Sequence, residues 1–385
     1  MPWKETVAMR EKLKFISNYM EKSFASFAEL CVFYGISRKT GYKYVKQFEE
    51  SGIDGLKERS RAPHQHGLKT SGWIEESILS VREKHKTWGG KKIYNWLHQE
   101  YPNTAWPAKS TIDDILKRNG LVRKRRARGD VAPYHESFSL CTSPNDVWSI
   151  DFKGHFYLGN KRRCYPLTVT DNFSRYLLDI RAFETISSLT TKEALERLFK
   201  TYGLPKAIKS DNGVPFASTG IAGLSKLSIW LIKLGIIPER IRKGHPEENG
   251  RHERMHLTLK LETTLPPMDN HWAQQRCFDE FRTVFNEERP HEGIDFQRPL
   301  WLYSNSARSF PQTLPKIEYD TRHVETRRVR SNGTIKWKGK EIFLSELLIG
   351  ETIGFIPRSE EQWNLHFSFM PISIFNEREQ KMYKI

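Results

Sequence analysis

From Thr6 to about Glu50, apolar positions recur every three or four residues, the spacing of an amphipathic helix. Within that run, SFAELCVFYGISRKTGYKYVKQFEESG divides into an apolar helix, a tight turn at Gly35, Ser37 as N-cap and a second helix over Thr40–Glu50. Residues 56–72, LKERSRAPHQHGLKTSG, have no periodicity and are rich in basic residues, Pro and Gly, so they read as a linker. Three further helical stretches follow at Trp73–Lys86, Gly90–Glu100 and Ser110–Asn119, the last with Ser110 as N-cap. After about Pro133 the texture becomes strand-rich, with DVWSIDFKGHFYL, RRCYPLTVTDN and RYLLDIRAFE as three strands, then a helix at Leu189–Tyr202 and a buried strand, PKAIKSD. Near the C-terminus an Asn332-Gly333 hairpin turn is predicted between alternating segments, with TIGFIP and NLHFSF as further strands.

This order predicts a multidomain chain: all-α helix-turn-helix domains at residues 1–62 and 63–130, a central α/β domain with a mixed sheet at 135–305, and a small β-barrel-like domain at 315–385. In a helix-turn-helix unit the second helix enters the major groove, and here it carries Arg38, Lys39, Lys43 and Lys46 with Tyr42 and Tyr44 between them. The charge balance agrees with this assignment. The 385 residues carry a formal net charge of +16, and a polyanionic partner follows by long-range attraction and counterion release. The run LVRKRRAR, with Arg123, Lys124, Arg125, Arg126 and Arg128, is a candidate phosphate contact. The four cysteines, Cys31, Cys141, Cys164 and Cys277, form neither a CxxC nor a zinc-spaced pattern, so a reducing, cytoplasmic setting is expected. No apolar window reaches the length of a membrane helix.

Phosphodiester chemistry with hard divalent cations needs carboxylates converging from different elements. Asp151 interrupts the apolar strand VWSIDF, where an uncompensated charge would be costly; ligation and an internally satisfied buried aspartate both explain it. Asp211 in SDNGVPF lies where a strand ends, the usual place for ligands in α/β sheets, although Asp-Asn-Gly is also simple turn chemistry. Asp171 in VTDNFSR suits a turn role. Three glutamates, Glu247, Glu248 and Glu253, compete for a third place.

VWSIDFKG, VTDNFSRY, SDNGVPF and GHPEENGRHERMHLTLK, in that order, resemble the catalytic core of integrase-type DDE transposases of bacterial insertion sequences, relatives of retroviral integrases. The resemblance extends over nearly the whole chain and implies a ribonuclease-H-like core. It also implies a two-metal strand transfer in which hydrolysis frees a 3′-OH that attacks target DNA. Under it, Asp151, Asp211 and a glutamate hold two Mg²⁺ or Mn²⁺ ions, and the partners are double-stranded DNA, both element terminal repeats and target, with a homo-oligomer handling two ends. No membrane and no small-molecule substrate are implied. The rivals are a DNA-binding regulator that no longer cuts and a ribonuclease-H-like nuclease without strand transfer.

The thirty-five-residue spacing of retroviral integrases, counted from Asp211, lands on Glu247. The Pro-x-x-Asn-Gly-x-x-Glu register of the family instead selects Glu253 through Pro246, Asn249 and Gly250. Residues 249, 253, 256 and 260 then fall on one helix stripe, so Glu253, His256 and Lys260 share a face, and Lys260 takes the family's DNA-contacting basic place two turns on. Arg254 holds that place relative to Glu247. This choice requires ASTGIAGLSKLSIW to be a local expansion on the surface, which chain entropy tolerates. Glu247 and Glu248 are expected as helix N-terminal charges. His245 and His252 lack partners at zinc spacing, and the retroviral His/Cys zinc module is absent.

Overall fold

The computed structural model describes residues 5–58, 70–122, 141–218, 220–242, 248, 250–320 and 322–384, with side chains from residue 8 onward. The chain forms two compact units, Met1–Lys69 and Thr70–Ile385. The basic run at Arg123–Arg128 lies outside the described residues, as does Glu247.

In the first unit, α1 (Glu5–Met20), α2 (Phe27–Phe33) and α3 (Arg38–Gly55) pack around Phe15, Ile16, Leu30, Cys31, Val45 and Leu56. Gly35 makes the turn at φ 63°, a conformation glycine adopts without a Cβ penalty. The Ser37 side chain then accepts the Thr40 N–H at 3.2 Å, capping α3. Gly41 permits the close crossing of α2 and α3, because a Cβ there would stand 2.7 Å from Cys31 Sγ and 2.9 Å from the Phe27 ring.

The second unit begins with α4 (Gly72–Lys84), α5 (Gly90–Glu100) and α6 (Lys109–Arg118), packed around Ile78, Trp88, Ile93, Leu97, Ile112 and Ile115. Helix α6 starts two residues earlier than a Ser110 cap would set it. Its N-cap is Ala108, without a side-chain hydrogen bond, so Ser110 sits inside the first turn and caps nothing.

The central sheet joins β1 (Val147–Phe152), β2 (Phe156–Tyr157), β3 (Arg163–Asp171), β4 (Leu177–Phe183), β5 (Ala207–Ser210) and β6 (Ile237–Arg240). β3 pairs antiparallel with both β1 and β4, whereas β1, β5 and β6 run parallel, giving the expected mixed sheet. Alternation along the strands sorts its two faces. Trp148, Ile150, Leu167, Val169 and Ile208 pack with α7 (Ser188–Tyr202) and α8 (Lys226–Lys233). Leu177 and Ile180 face the other way, with Met255 and Leu259 of α9 (Gly250–Thr263) and Phe278 and Phe281 of α10 (His271–Thr283). ASTGIAGLSKLSIW is therefore not a surface expansion: it leads into α8, which buries Leu227, Trp230 and Leu231 in the core and Ile229 and Ile232 against the C-terminal region.

That C-terminal region is an open sheet rather than a closed barrel. β7 (Glu325–Arg328), β10 (Thr352–Ser359), β11 (Gln362–Phe367), β12 (Met370–Asn376) and β13 (Lys381–Tyr383) form it in the order β13-β12-β11-β10-β7, so β7 and β13 remain its edges. A separate hairpin joins β8 (Thr334–Trp337) to β9 (Lys340–Phe343). Its turn is Lys338-Gly339, with φ 45° and 88°, and consecutive left-handed residues match the right-handed strand twist. Asn332-Gly333 instead connects β7 to β8, which are not paired.

Candidate functional site

The polar positions of the central strands gather on the face covered by α9. Ser149 and Asp151 of β1 stand opposite Thr170 and Thr168 of β3. On the other side Ser149 stands beside Lys209 of the parallel strand β5. Asp211 directly follows the last residue of β5, the parallel neighbour of the strand that carries Asp151. The Gly213 N–H donates to Asp211 Oδ1 at 3.1 Å, and a Cβ on Gly213 would approach Oδ2 to 2.9 Å, so the turn fixes this carboxylate from its outer side.

Helix α9 closes the face through two buried histidines. His252 Nε2 and His256 Nε2 lie 2.6 and 2.7 Å from the one hydroxyl of Thr168, which is 3.1 Å from the Asp151 carbonyl oxygen. A hydroxyl offers one proton and two lone pairs, and the carbonyl can only accept. The hydroxyl therefore donates to Asp151, and both rings donate Nε2–H to it. Burial pushes the His252 and His256 pKa values down to about 3 and about 2, with neighbouring cations adding to the depression, so both rings are neutral. His256 Nδ1 is 3.9 Å from Asp151 Oδ2, and ligand atoms of Asp151, His252 and His256 all lie within 4.8 Å of one another. The Thr168 oxygen already occupies the place between the two ring nitrogens, so this trio is an internal brace.

Glu253 follows His252 on α9 and is exposed, as is Lys260. The expected stripe is thus split: His256 turns into the sheet while Glu253 and Lys260 border the covered face. Glu253 is not among the groups gathered around Asp151. Glu248 is buried and accepts the Arg242 backbone N–H at 2.7 Å and its Nε–H at 2.6 Å. Asp171 has the turn role expected of it, accepting the Asn145 N–H and the Ser174 N–H, each at 2.8 Å.

Two lysines escaped the sequence reading. Lys153 is held below its usual pKa by burial and by Lys260, and Lys209 by burial and by Arg251. Lys209 Nζ donates to the Glu248 carbonyl at 2.5 Å. The signal for the Thr168 brace was also available: His252 and His256 lie four apart on a helix, opposite a strand with threonines two apart. In the first unit Arg38, Lys39, Lys43 and Lys46 are all exposed on α3. Tyr42 stacks on Phe27 at 4.2 Å instead of standing clear.

A mixed sheet with carboxylates at the ends of adjacent parallel strands, in a chain that also carries a helix-turn-helix unit, defines an integrase-core architecture. Sequence comparison gives the same answer. The integrase core domain family matches residues 142–246 and, in a second description, 234–299; a helix-turn-helix domain matches 11–64 and a homeodomain-like domain 40–116. A 31.7 kDa protein of insertion element IS407 from Burkholderia multivorans is 33% identical over 228 residues, 58% of this chain and 77% of that protein. A 39.2 kDa protein of insertion element IS476 from Xanthomonas euvesicatoria is 27% identical over 238 residues, 60% of this chain and 65% of its own length. The Gag-Pol polyprotein of baboon endogenous virus is 35% identical over 204 residues, but these are 11% of that polyprotein. Among solved structures, the HTLV-2 integrase catalytic core domain in complex with magnesium aligns over 42% of this chain and 97% of its own, at 17% identity and a TM-score of 0.31. The chain belongs to the integrase-core family of insertion-element proteins.

Proposed function

We propose that this chain is the transposase of an insertion element, cutting DNA at the element's ends and joining the freed 3′-OH to target DNA. The observation that supports the reading is the parallel pairing of β1, which carries Asp151, with β5, which leads into Asp211, in a chain whose α9 bears Glu253. These three carboxylates are hard oxygen donors on separate elements, a set suited to Mg²⁺ or Mn²⁺. Two such ions held there would polarise the phosphoryl oxygen and lower the pKa of the attacking hydroxyl. The protein's own part is positional. The Thr168 brace fixes α9 over the strands, Gly213 orients Asp211, and Lys153 and Lys260 place positive charge where the phosphate backbone must lie. The exposed face of α3 enters the major groove of the terminal repeats, and two ends are handled by a homo-oligomer. Among the described residues no helix is long and apolar enough to cross a membrane.

The test is joining of an oligonucleotide carrying the element's end to plasmid DNA, with and without Mn²⁺. Asp151→Asn, Asp211→Asn and Glu253→Gln should each abolish joining while DNA binding persists. Undiminished joining by Asp211→Asn would overturn the assignment.

A further inference from the structure

A cavity of about 330 Å³ opens beside the first turn of α9, lined by Asn172 and Arg175 from the β3–β4 turn, Arg251 of α9, Cys141 and the Gly293–Gln297 loop. Two guanidinium groups share it, and among the described residues neither has a carboxylate within 4 Å. Among the described residues the Arg175 side chain has one hydrogen bond, from Nη1 to the Asn172 carbonyl at 2.6 Å. Its backbone is held at φ 65°, an uncommon conformation for a residue with a side chain that is usually maintained for a purpose. Arg254 and Lys209 add more positive charge nearby. Burial, Arg251 and Arg254 lower the Arg175 pKa to about 10, with Asp171 opposing the shift only in part. Asp295 lines the cavity without forming an ion pair with either arginine. The Cys141 thiol is pushed up to about 11, so it contributes no counter-charge.

We infer that this cavity binds a backbone phosphate of the DNA that enters the carboxylate face. The planar fork of an arginine suits two phosphate oxygens at once. The cavity's position selects DNA over a free anion. Asn172 Oδ1 accepts the Ser149 hydroxyl at 2.8 Å, and Ser149 precedes Asp151 by two residues, roughly 7 Å along the strand. The cavity thus adjoins the strand that carries Asp151, where DNA entering the carboxylate face presents its backbone phosphates to Arg251 and Arg175. The inference rests on the proposed function and extends it to the path of the strand.

The experiment measures the affinity of the full-length chain for a duplex of arbitrary sequence over a range of salt concentrations. Arg251→Gln should make the plot of log K against log salt shallower by about 0.9, the loss of one neutralised phosphate, whereas Arg251→Lys keeps the charge and the slope. Arg175→Gln should act alike. Since Arg175 is half-buried, its melting temperature is measured alongside, and a folded Arg175→Lys variant should retain the slope. Unchanged slopes in both glutamine variants, with a wild-type chain that still joins DNA ends, would overturn the cavity and leave the proposed function standing. A wild-type chain that binds no DNA would overturn both. Inorganic pyrophosphate is the remaining arm. If it raises the melting temperature of the wild type but not of Arg251→Gln while the DNA slopes stay equal, the cavity serves a free anion and the DNA assignment fails.

Discussion

Replacing Thr168 with valine tests how α9 is held over the carboxylates, because the change removes one hydroxyl and almost no volume. Thr168 is fully buried and its oxygen satisfies three groups: the Asp151 carbonyl and the two histidine Nε2–H groups. A buried polar group left unpaired costs about 1–3 kcal/mol. His252 is buried to 3% exposure, so at least its N–H has nowhere to turn. The Asp151 carbonyl and His256 lie closer to the open edge and recover part of their loss through water. Thr168→Val should therefore destabilise the second unit by about 2–5 kcal/mol. Thr168→Ser, which keeps the oxygen and loses a methyl group, should cost about 1 kcal/mol.

Urea unfolding followed by tryptophan fluorescence would measure both variants. A second readout separates bracing from bulk stability, namely the Mn²⁺ concentration that half-saturates DNA joining. Loss of a partner that orients a ligand typically weakens metal affinity 10–100-fold, so Thr168→Val should need that much more Mn²⁺ while Thr168→Ser stays near wild type. Equal unfolding free energies for the two variants would refute the brace. Unequal stabilities with one common Mn²⁺ requirement would reduce it to packing.

Asn286 is buried, donates to the Leu177 carbonyl at 3.0 Å and accepts its N–H at 2.8 Å, so Asn286→Ala should cost about 2–4 kcal/mol in urea unfolding. A loss below about 1 kcal/mol would mean that water replaces the amide. Burial holds the His85 pKa below its ordinary value, with Glu288, 3.3 Å away, opposing the shift only in part. Below about pH 6.5 the unfolded chain then binds the additional proton. Stability from this group is full above that pH and falls as pH drops, by at most about 1.4 kcal/mol per unit. His85→Gln should flatten the stability difference between about pH 7.5 and 5.5, and an unaltered difference would contradict the assignment. For the glutamates, Glu253→Gln should abolish joining with little loss of stability, whereas Glu248→Gln should weaken the fold through Arg242 and leave joining measurable. The reverse pattern would overturn the register argument.

The helices and strands were legible because their periods are local properties. VWSIDF shows why: Trp148 and Ile150 alternate with Ser149 and Asp151, and the same alternation divides the core face from the α9 face. What the sequence hid depends on partners far along the chain. Ile229 looks like part of an inserted surface loop until the C-terminal sheet is present to cover it. The C-terminal hairpin departs from its expected turn for a different reason. Asn332-Gly333 is the stronger dipeptide signal, but Lys338-Gly339 joins the strands whose side chains pair, and a lysine at φ 45° carries no sequence mark. Closure of a barrel requires pairing between the first and last strands, and no local pattern reports that.

The two histidines bear most directly on the choice among the glutamates. Successive residues of an α-helix are about 100° apart, so with His252 and His256 both fixed on Thr168 the rotation of α9 is set. Glu253 then emerges about 60° from His256, at the border between the covered face and solvent, where a change of rotamer moves its carboxylate without disturbing the helix. Glu248 would have to leave two hydrogen bonds to Arg242 and a buried position to reach the same ions. An exposed glutamate beside a rigid brace is therefore the better ligand candidate of these two. It costs little to recruit, and the groups that aim it are in place before the metal arrives.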